Sequence, residues 1–159
     1  MIINGKKYPK DVRPLVKYVT ENREELLNSY WITVDPGSHA SGYCLMRGTT
    51  VIDNNEFKAK ASDPIHKRLI HIYKFYSEAF GLRDTPQIKL LLIEKIRGSR
   101  THAFLPFSIG TVIAACSSTD MIECPTKVWH TLRSKDYVKT DKLDAYLMAQ
   151  VVVEILNDR

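Results

Sequence analysis

Residues Tyr30–Gly48 read YWITVDPGSHASGYCLMRG. An apolar, β-branched run ends in a lone aspartate, a Pro-Gly turn follows, and a second apolar run leads to Gly48. The pattern predicts two strands, YWITVDPG closed by its own Pro-Gly and SGYCLMRG beyond the turn. A third strand, TTVIDNNEFKAK, follows a tight hairpin at Gly48 and Thr49. The chemistry of the first strand is unusual at its tip. Burying a single carboxylate costs several kcal/mol unless something neutralises it, so Asp35 requires a cation, a nest of hydrogen bonds or a metal.

Outward from this core, Asp11–Asn28 has amphipathic-helix spacing with a break around Thr20–Arg23. Downstream, SDPIHKRLIHIYKFYSEAFG predicts a helix with Ser62 as N-cap, apolar residues at Ile65, Leu69, Ile72, Phe75, Tyr76 and Phe80, and an end at Gly81. The near-continuous apolar run QIKLLLIEK suits a central strand covered on both faces. A basic loop, KIRGSRTH, comes next. It is followed by a helix across LPFSIGTVIAACSST, a short strand MIECP, a short helix plus loop in TKVWHTLRSKDYVK, and a closing helix TDKLDAYLMAQVVVEILND. The order β-β-β-α-β-α-β-α predicts an α/β fold, a mixed five-stranded sheet flanked by helices, behind an N-terminal helical extension at residues 1–29.

A length of 159 residues predicts one domain, here residues 30–159 after the extension. Three cysteines, Cys44, Cys116 and Cys124, have no C-x-x-C spacing, which argues against a disulfide framework and a cysteine zinc site. The opening MIINGKKYPKDVRP lacks the apolar core of a secretory signal and no run reaches the about 20 apolar residues of a membrane helix, so a cytoplasmic protein without a membrane partner is expected. A net charge of +5 permits a polyanionic partner without demanding one.

Among the acidic residues, those in apolar settings carry the information. Asp35 ends the first strand, Glu94 ends KLLLIE, and Asp141 and Asp144 project from one face at the start of the last helix. Each has an ordinary explanation alone: a turn former, an ion-pair partner of Lys95 or Arg97, a charge favoured by the helix dipole. Together they suggest convergence. Four carboxylates would repel one another, whereas two divalent cations would neutralise them and clamp a phosphodiester. Ligation by oxygen alone suits Mg2+ or Mn2+.

These residues also resemble a family. ITVDPGSHASGYCL is similar to the opening strand and hairpin of RuvC-like Holliday junction resolvases, members of the ribonuclease H-like superfamily, with Asp-Pro-Gly followed by Ser-Gly-Tyr. LLIEK resembles the family's second acidic strand, SIGTVIAAC its Gly-containing helix, and TDKLDAYLMA its Asp-x-x-Asp-Ala helix start. The resemblance covers roughly Tyr30 to Ile155. It implies a divergent, phage-type, two-metal endonuclease that resolves four-way junctions and other branched DNA. Asp35, Glu94, Asp141 and Asp144 would be both the catalytic residues and the ligands of two Mg2+ ions, with Mn2+ able to substitute. It further implies a homodimer whose two-fold axis matches the junction, and host cytoplasm as the setting. The chain departs from the family in three places: about thirty residues precede the catalytic strand, Arg97 stands where an aromatic wedge is usual, and the stretch from Trp129 to Asp141 is short.

Lys95, Arg97, Arg100 and His102 follow the acidic strand and are expected to meet DNA phosphates, as are Lys135 and Lys139 ahead of the last helix. The same stretch adds Lys127, Arg133 and Lys142, of which Lys127 ranks below Lys135 and Lys139. Phe104 and Phe107 are alternatives for a junction wedge, although a place at the start of a core helix suits both better. Trp129 reads as a core anchor, His66 and His71 as structural or exposed, and His39 as a turn residue within reach of substrate. Two other functions fit the same residues less well: a nuclease for RNA or RNA–DNA hybrid, and a non-catalytic DNA-binding module, which would have no reason to keep a repulsive cluster.

Overall fold

Residues 1–37, 39–80, 87–95 and 105–158 are described by a computed structural model. In chain order the elements are β1 (Ile2–Ile3), β2 (Lys6–Lys7), α1 (Arg13–Glu21), α2 (Arg23–Asn28), β3 (Tyr30–Asp35), β4 (Ala40–Arg47) and β5 (Thr50–Lys58), followed by α3 (Ile65–Phe80), β6 (Ile88–Lys95), α4 (Leu105–Cys116), β7 (Asp120–Pro125), α5 (Thr126–His130) and α6 (Asp141–Asn157). The main sheet has five strands in the order β5-β4-β3-β6-β7. β3 runs antiparallel to β4 and parallel to β6, so the sheet is mixed, as the sequence pattern predicts.

Strand periodicity assigns each residue of the two central strands to a layer. Ile32 and Val34 of β3, with Leu91 and Ile93 of β6, pack with Ile72 and Tyr76 of α3 and Val112 and Cys116 of α4. Trp31 of β3, with Leu90 and Leu92 of β6, packs on the other face with α6 through Ala145, Met148, Ala149 and Val152. Side chains two residues apart share a face. Asp35 therefore falls on the same face as Trp31, and Glu94 on the same face as Leu92, both towards α6. The last register pair between these strands is Val34 with Ile93, which leaves Asp35 and Glu94 side by side at the strand ends.

The first turn of α6 is fixed against the sheet by three contacts. The Thr33 hydroxyl donates to the Ala145 carbonyl at 2.6 Å. Asn54 of β5 donates from Nδ2 to the Lys142 carbonyl at 2.8 Å. Gly42, the partner of Asp35 in the β3–β4 register, supplies the closest approach. A Cβ at Gly42 would lie 2.1 Å from the Asp141 carbonyl carbon and 2.3 Å from the Lys142 nitrogen. Only a residue without a side chain lets the helix backbone rest on β4 here.

The N-terminal segment packs on α6. Ile3, Tyr8, Val12, Leu15, Val19 and Leu26 are buried in the same core as Met148 and Val152. Polar ties add to this: Asn4 Nδ2 donates to the Glu154 carbonyl at 2.6 Å, Arg23 Nη1 to the Asp158 carbonyl at 3.0 Å, and the Tyr18 hydroxyl to Asp120 at 2.7 Å. The break between α1 and α2 falls at Asn22, within the expected interval.

Two local expectations need correction. The hairpin of β1 and β2 went unread, although its Asn4-Gly5 turn has positive φ at both residues, +47° and +76°, the usual chemistry of a two-residue hairpin. Strands of two residues are too short to show alternation. Ser62 does not cap α3, which begins at Ile65. The chain first turns through Lys60–Asp63, with the Asp63 N–H donating to the Lys60 carbonyl at 3.0 Å, and the helix then starts behind Pro64. The expected end at Gly81 lies outside the described residues.

Gly42→Ala is expected to lower stability by about 1–3 kcal/mol, because the new methyl meets backbone rather than a movable side chain. In thermal unfolding this corresponds to a Tm lower by about 3–10 °C for a chain of this size.

Candidate active site

Asp35 and Glu94 end neighbouring parallel strands, while Asp141 and Asp144 occupy the first turn of α6 above them. Thr140 sets that turn by accepting the Leu143 N–H on its hydroxyl oxygen at 3.2 Å. The helix N-terminus is a favourable place for both aspartates, since its unpaired N–H groups carry partial positive charge. Asp144 is 1% exposed and Asp35 7%, so both are largely cut off from water.

The four carboxylates influence one another electrostatically. Asp35 is pushed up to about 10, first by burial, then by a hydrogen bond with Glu94 and by the charges of Glu94, Asp141 and Asp144. Burial also raises Asp141, with the Glu56 charge adding to it, while Lys139, a hydrogen bond with Asp35 and Lys58 oppose the shift. Burial raises Asp144 as well. A hydrogen bond from the Tyr137 hydroxyl and the charges of Arg133 and Lys139 pull it back, and Glu94 pushes it up. The cluster thus concentrates more negative charge than its protein surroundings neutralise.

The donor set fits a hard divalent cation: all four side chains offer oxygen, and a cation would relieve the repulsion that raises them. Among the described residues no group of three or more His, Cys, Asp or Glu side chains stands in metal-holding geometry. Burial and the neighbouring carboxylates favour the protonated form of Asp35.

The basic residues divide. Lys139 acts on both Asp141 and Asp144 and so lies beside the cluster. Lys135 is exposed on the segment leading to α6. Lys95 follows Glu94 and so points to the opposite face of β6, where its Nζ pairs with Glu123 at 3.6 Å. Arg97, Arg100, His102 and Phe104 lie outside the described residues. Phe107, expected in the core, is 63% exposed on α4, because the face of that helix turned inward carries Leu105, Ser108 and Val112. Trp129 is buried, as expected of a core anchor, and His39 in the turn beyond Asp35 lies 3.4 Å from Arg68. His66 is exposed, and His71 packs edge-on against Phe57.

Sequence reasoning missed two residues at the site. Tyr137 donates its hydroxyl to Asp144 Oδ1. His130 feels the charge of Glu94, while burial and Arg133 hold it below the ordinary histidine value, which keeps the ring neutral near pH 7. Arg133, one of the basic residues named from the sequence ahead of the last helix, is brought to the same place. The segment from Thr131 to Thr140 has no regular structure, so no periodicity indicates which of its side chains turn inward.

The mixed five-stranded sheet flanked by helices matches the ribonuclease H-like class of α/β fold. Within that class the chain is similar to RuvC of Thermus thermophilus. It aligns with that protein in complex with a Holliday junction substrate at a TM-score of 0.59 and 12% identity, covering 79% of this chain and 93% of that one. A second structure of Thermus thermophilus RuvC aligns at a TM-score of 0.56 and 13% identity, covering 78% and 93%. No family model matches the chain, and no curated protein matches it in sequence. The fold is therefore the RuvC one, reached by a sequence far from those structures. No helix among the described residues is long and apolar enough to cross a membrane.

Asp35 is protonated in the folded protein at pH values where the unfolded chain has already lost that proton. In chelator-treated protein, the Asp35 contribution to stability is therefore expected to be fully present below pH 3.8 and to be lost as pH rises towards about 10. Asp35→Asn should flatten this dependence in thermal melts and raise Tm at pH 8 by about 3–8 °C, the equivalent of about 1–2 kcal/mol. A Tm for Asp35→Asn below that of the parent at pH 8 would contradict the repulsive-cluster account.

Proposed function

We propose that the protein is a Mg2+-dependent, structure-specific endonuclease that resolves four-way and other branched DNA by paired nicking. The single observation that supports this most is the meeting of four acidic side chains from β3, β6 and α6 at the ends of the two central strands, with burial and neighbouring charges raising Asp35, Asp141 and Asp144. A fold assembled for stability alone gains nothing from such a cluster, since like charges in low dielectric oppose folding. Asp35, Glu94, Asp141 and Asp144 would hold two Mg2+ ions, with Mn2+ able to replace them. Bound there, such ions supply an activated water and stabilise the departing 3′ oxygen of a phosphodiester.

The remaining work falls to this chain's own groups. Thr33 and Gly42 keep the α6 carboxylates in register with those of the strands. Tyr137 orients Asp144, and Lys139 supplies positive charge beside the helix start. Branched DNA is favoured as substrate because the Thermus thermophilus RuvC of the same fold is seen in complex with a Holliday junction. A homodimer would present two such sites to the symmetric arms of one junction.

Synthetic four-way junction, linear duplex and RNA–DNA hybrid, each incubated with Mg2+, test this directly. Symmetric nicks in the junction alone are expected, and Asp35→Asn should reduce the rate by at least about 100-fold, as removal of a group central to the chemistry does. Cleavage confined to the hybrid would replace the proposal with a ribonuclease H-type activity, and binding without cutting in Mg2+ or Mn2+ would end the nuclease reading. Millimolar Mn2+ should also raise the Tm of the parent protein and leave that of Asp35→Asn nearly unchanged.

A further inference from the structure

Arg133 sits in an unusual setting. Its guanidinium carbon lies 4.5 Å from the centre of the Trp129 ring and 4.1 Å from that of Tyr137, so two aromatic side chains hold it. Trp129 is anchored in the core behind α6, and Tyr137 is fixed by its bond to Asp144. Among the described residues no carboxylate lies within ion-pair distance of Arg133, and its Nε is buried without a hydrogen-bond partner. The residue as a whole stays partly exposed. Its charge nevertheless acts on Asp144 and on His130, which places it at the border of the acidic cluster.

An arginine present only to balance Asp144 would be expected to pair with it directly and bidentately. Tyr137 takes that position. The planar guanidinium is oriented by the rings, and its charge reaches Asp144 without a direct ion pair. Stacked, pre-oriented arginines suit the recognition of phosphate oxygens, because little freedom is lost when the fork closes on them.

We propose that Arg133 contacts a backbone phosphate of the nucleic acid beside Asp144, and that Trp129 and Tyr137 act as its positioning residues. The nucleic-acid partner and the phosphate engaged rest on the proposed function, whereas cutting is not needed for the contact. Binding and cleavage therefore need separate readouts.

Affinity for a synthetic four-way junction, measured from low to moderate salt with Ca2+ in place of Mg2+, reads the contact without turnover. Each phosphate contact contributes about 0.9 to the slope of log affinity against log salt for duplex DNA. Arg133→Gln is expected to reduce that slope by about 1. Arg133→Lys should keep most of the slope, yet cut junction cleavage in Mg2+ by about 10-fold or more because its ammonium neither stacks nor forks. Arg133→Met, which refills the slot between the rings with a neutral chain, serves as the second neutral variant if Arg133→Gln melts early. An unchanged salt slope in a folded neutral variant overturns the proposal and leaves Arg133 as a charge balance for Asp144. Should the parent protein bind the junction and cut nothing, the nuclease reading fails while the slope still decides the contact.

Discussion

The backbone of α6 touches the backbone of β4 at Gly42, and the geometry of the site depends on that approach. A helix laid across a sheet normally stands about 10 Å off, separated by two layers of side chains. At Gly42 a side chain is missing from the sheet, and a Cβ there would come within 2.1 Å of Asp141. The short distance lets two carboxylates on the helix reach two on the strands. Thr33 and Asn54 then fix the helix along its axis and sideways, each by donating to a carbonyl of its first turns. The far end of α6 is held by the N-terminal segment through Glu154 and Asp158, so the helix is restrained at both ends.

Against this rigidity stands the charge cluster, which opposes the fold. Burial and neighbouring charges push Asp35 up to about 10, and Asp141 and Asp144 rise for the same first reason. Such a site survives because the surrounding layers are well packed: Trp31, Leu90, Leu92 and Met148 on one side of the sheet, Ile32, Val34, Leu91 and Tyr76 on the other. Local destabilisation beside a well-packed core is the usual compromise at sites shaped for chemistry rather than for stability.

Much of this was legible in the residues themselves. The apolar runs YWITVD and KLLLIE each end in an acidic residue, and Asp141 and Asp144 are spaced for one face of a helix. The succession of strands and helices, the hairpin at Gly48 and the closing helix follow from equally regular patterns. What stayed hidden lies where regularity stops. Tyr137, Arg133 and His130 come from α5 and the irregular segment after it, where no period indicates direction. Lys95 seemed placed for substrate by its position in the chain, yet strand parity turns it towards Glu123. The exposure of Phe107 shows the complementary limit, since a strongly apolar helix such as α4 does not declare its inner face by composition.

All four carboxylates are borne by regular elements, two by strand ends and two by a helix start, and none by a connecting segment. The consequence is one of inheritance. Connecting segments can lengthen, shorten or change composition over evolutionary time while the backbone positions that carry the acids stay in register. The fold can thus be shared at about one identical residue in eight, as with the Thermus thermophilus structures, whatever the drift of the segments between its elements. What such drift alters first is the surface around the acids, and with it the shape of the molecule they meet.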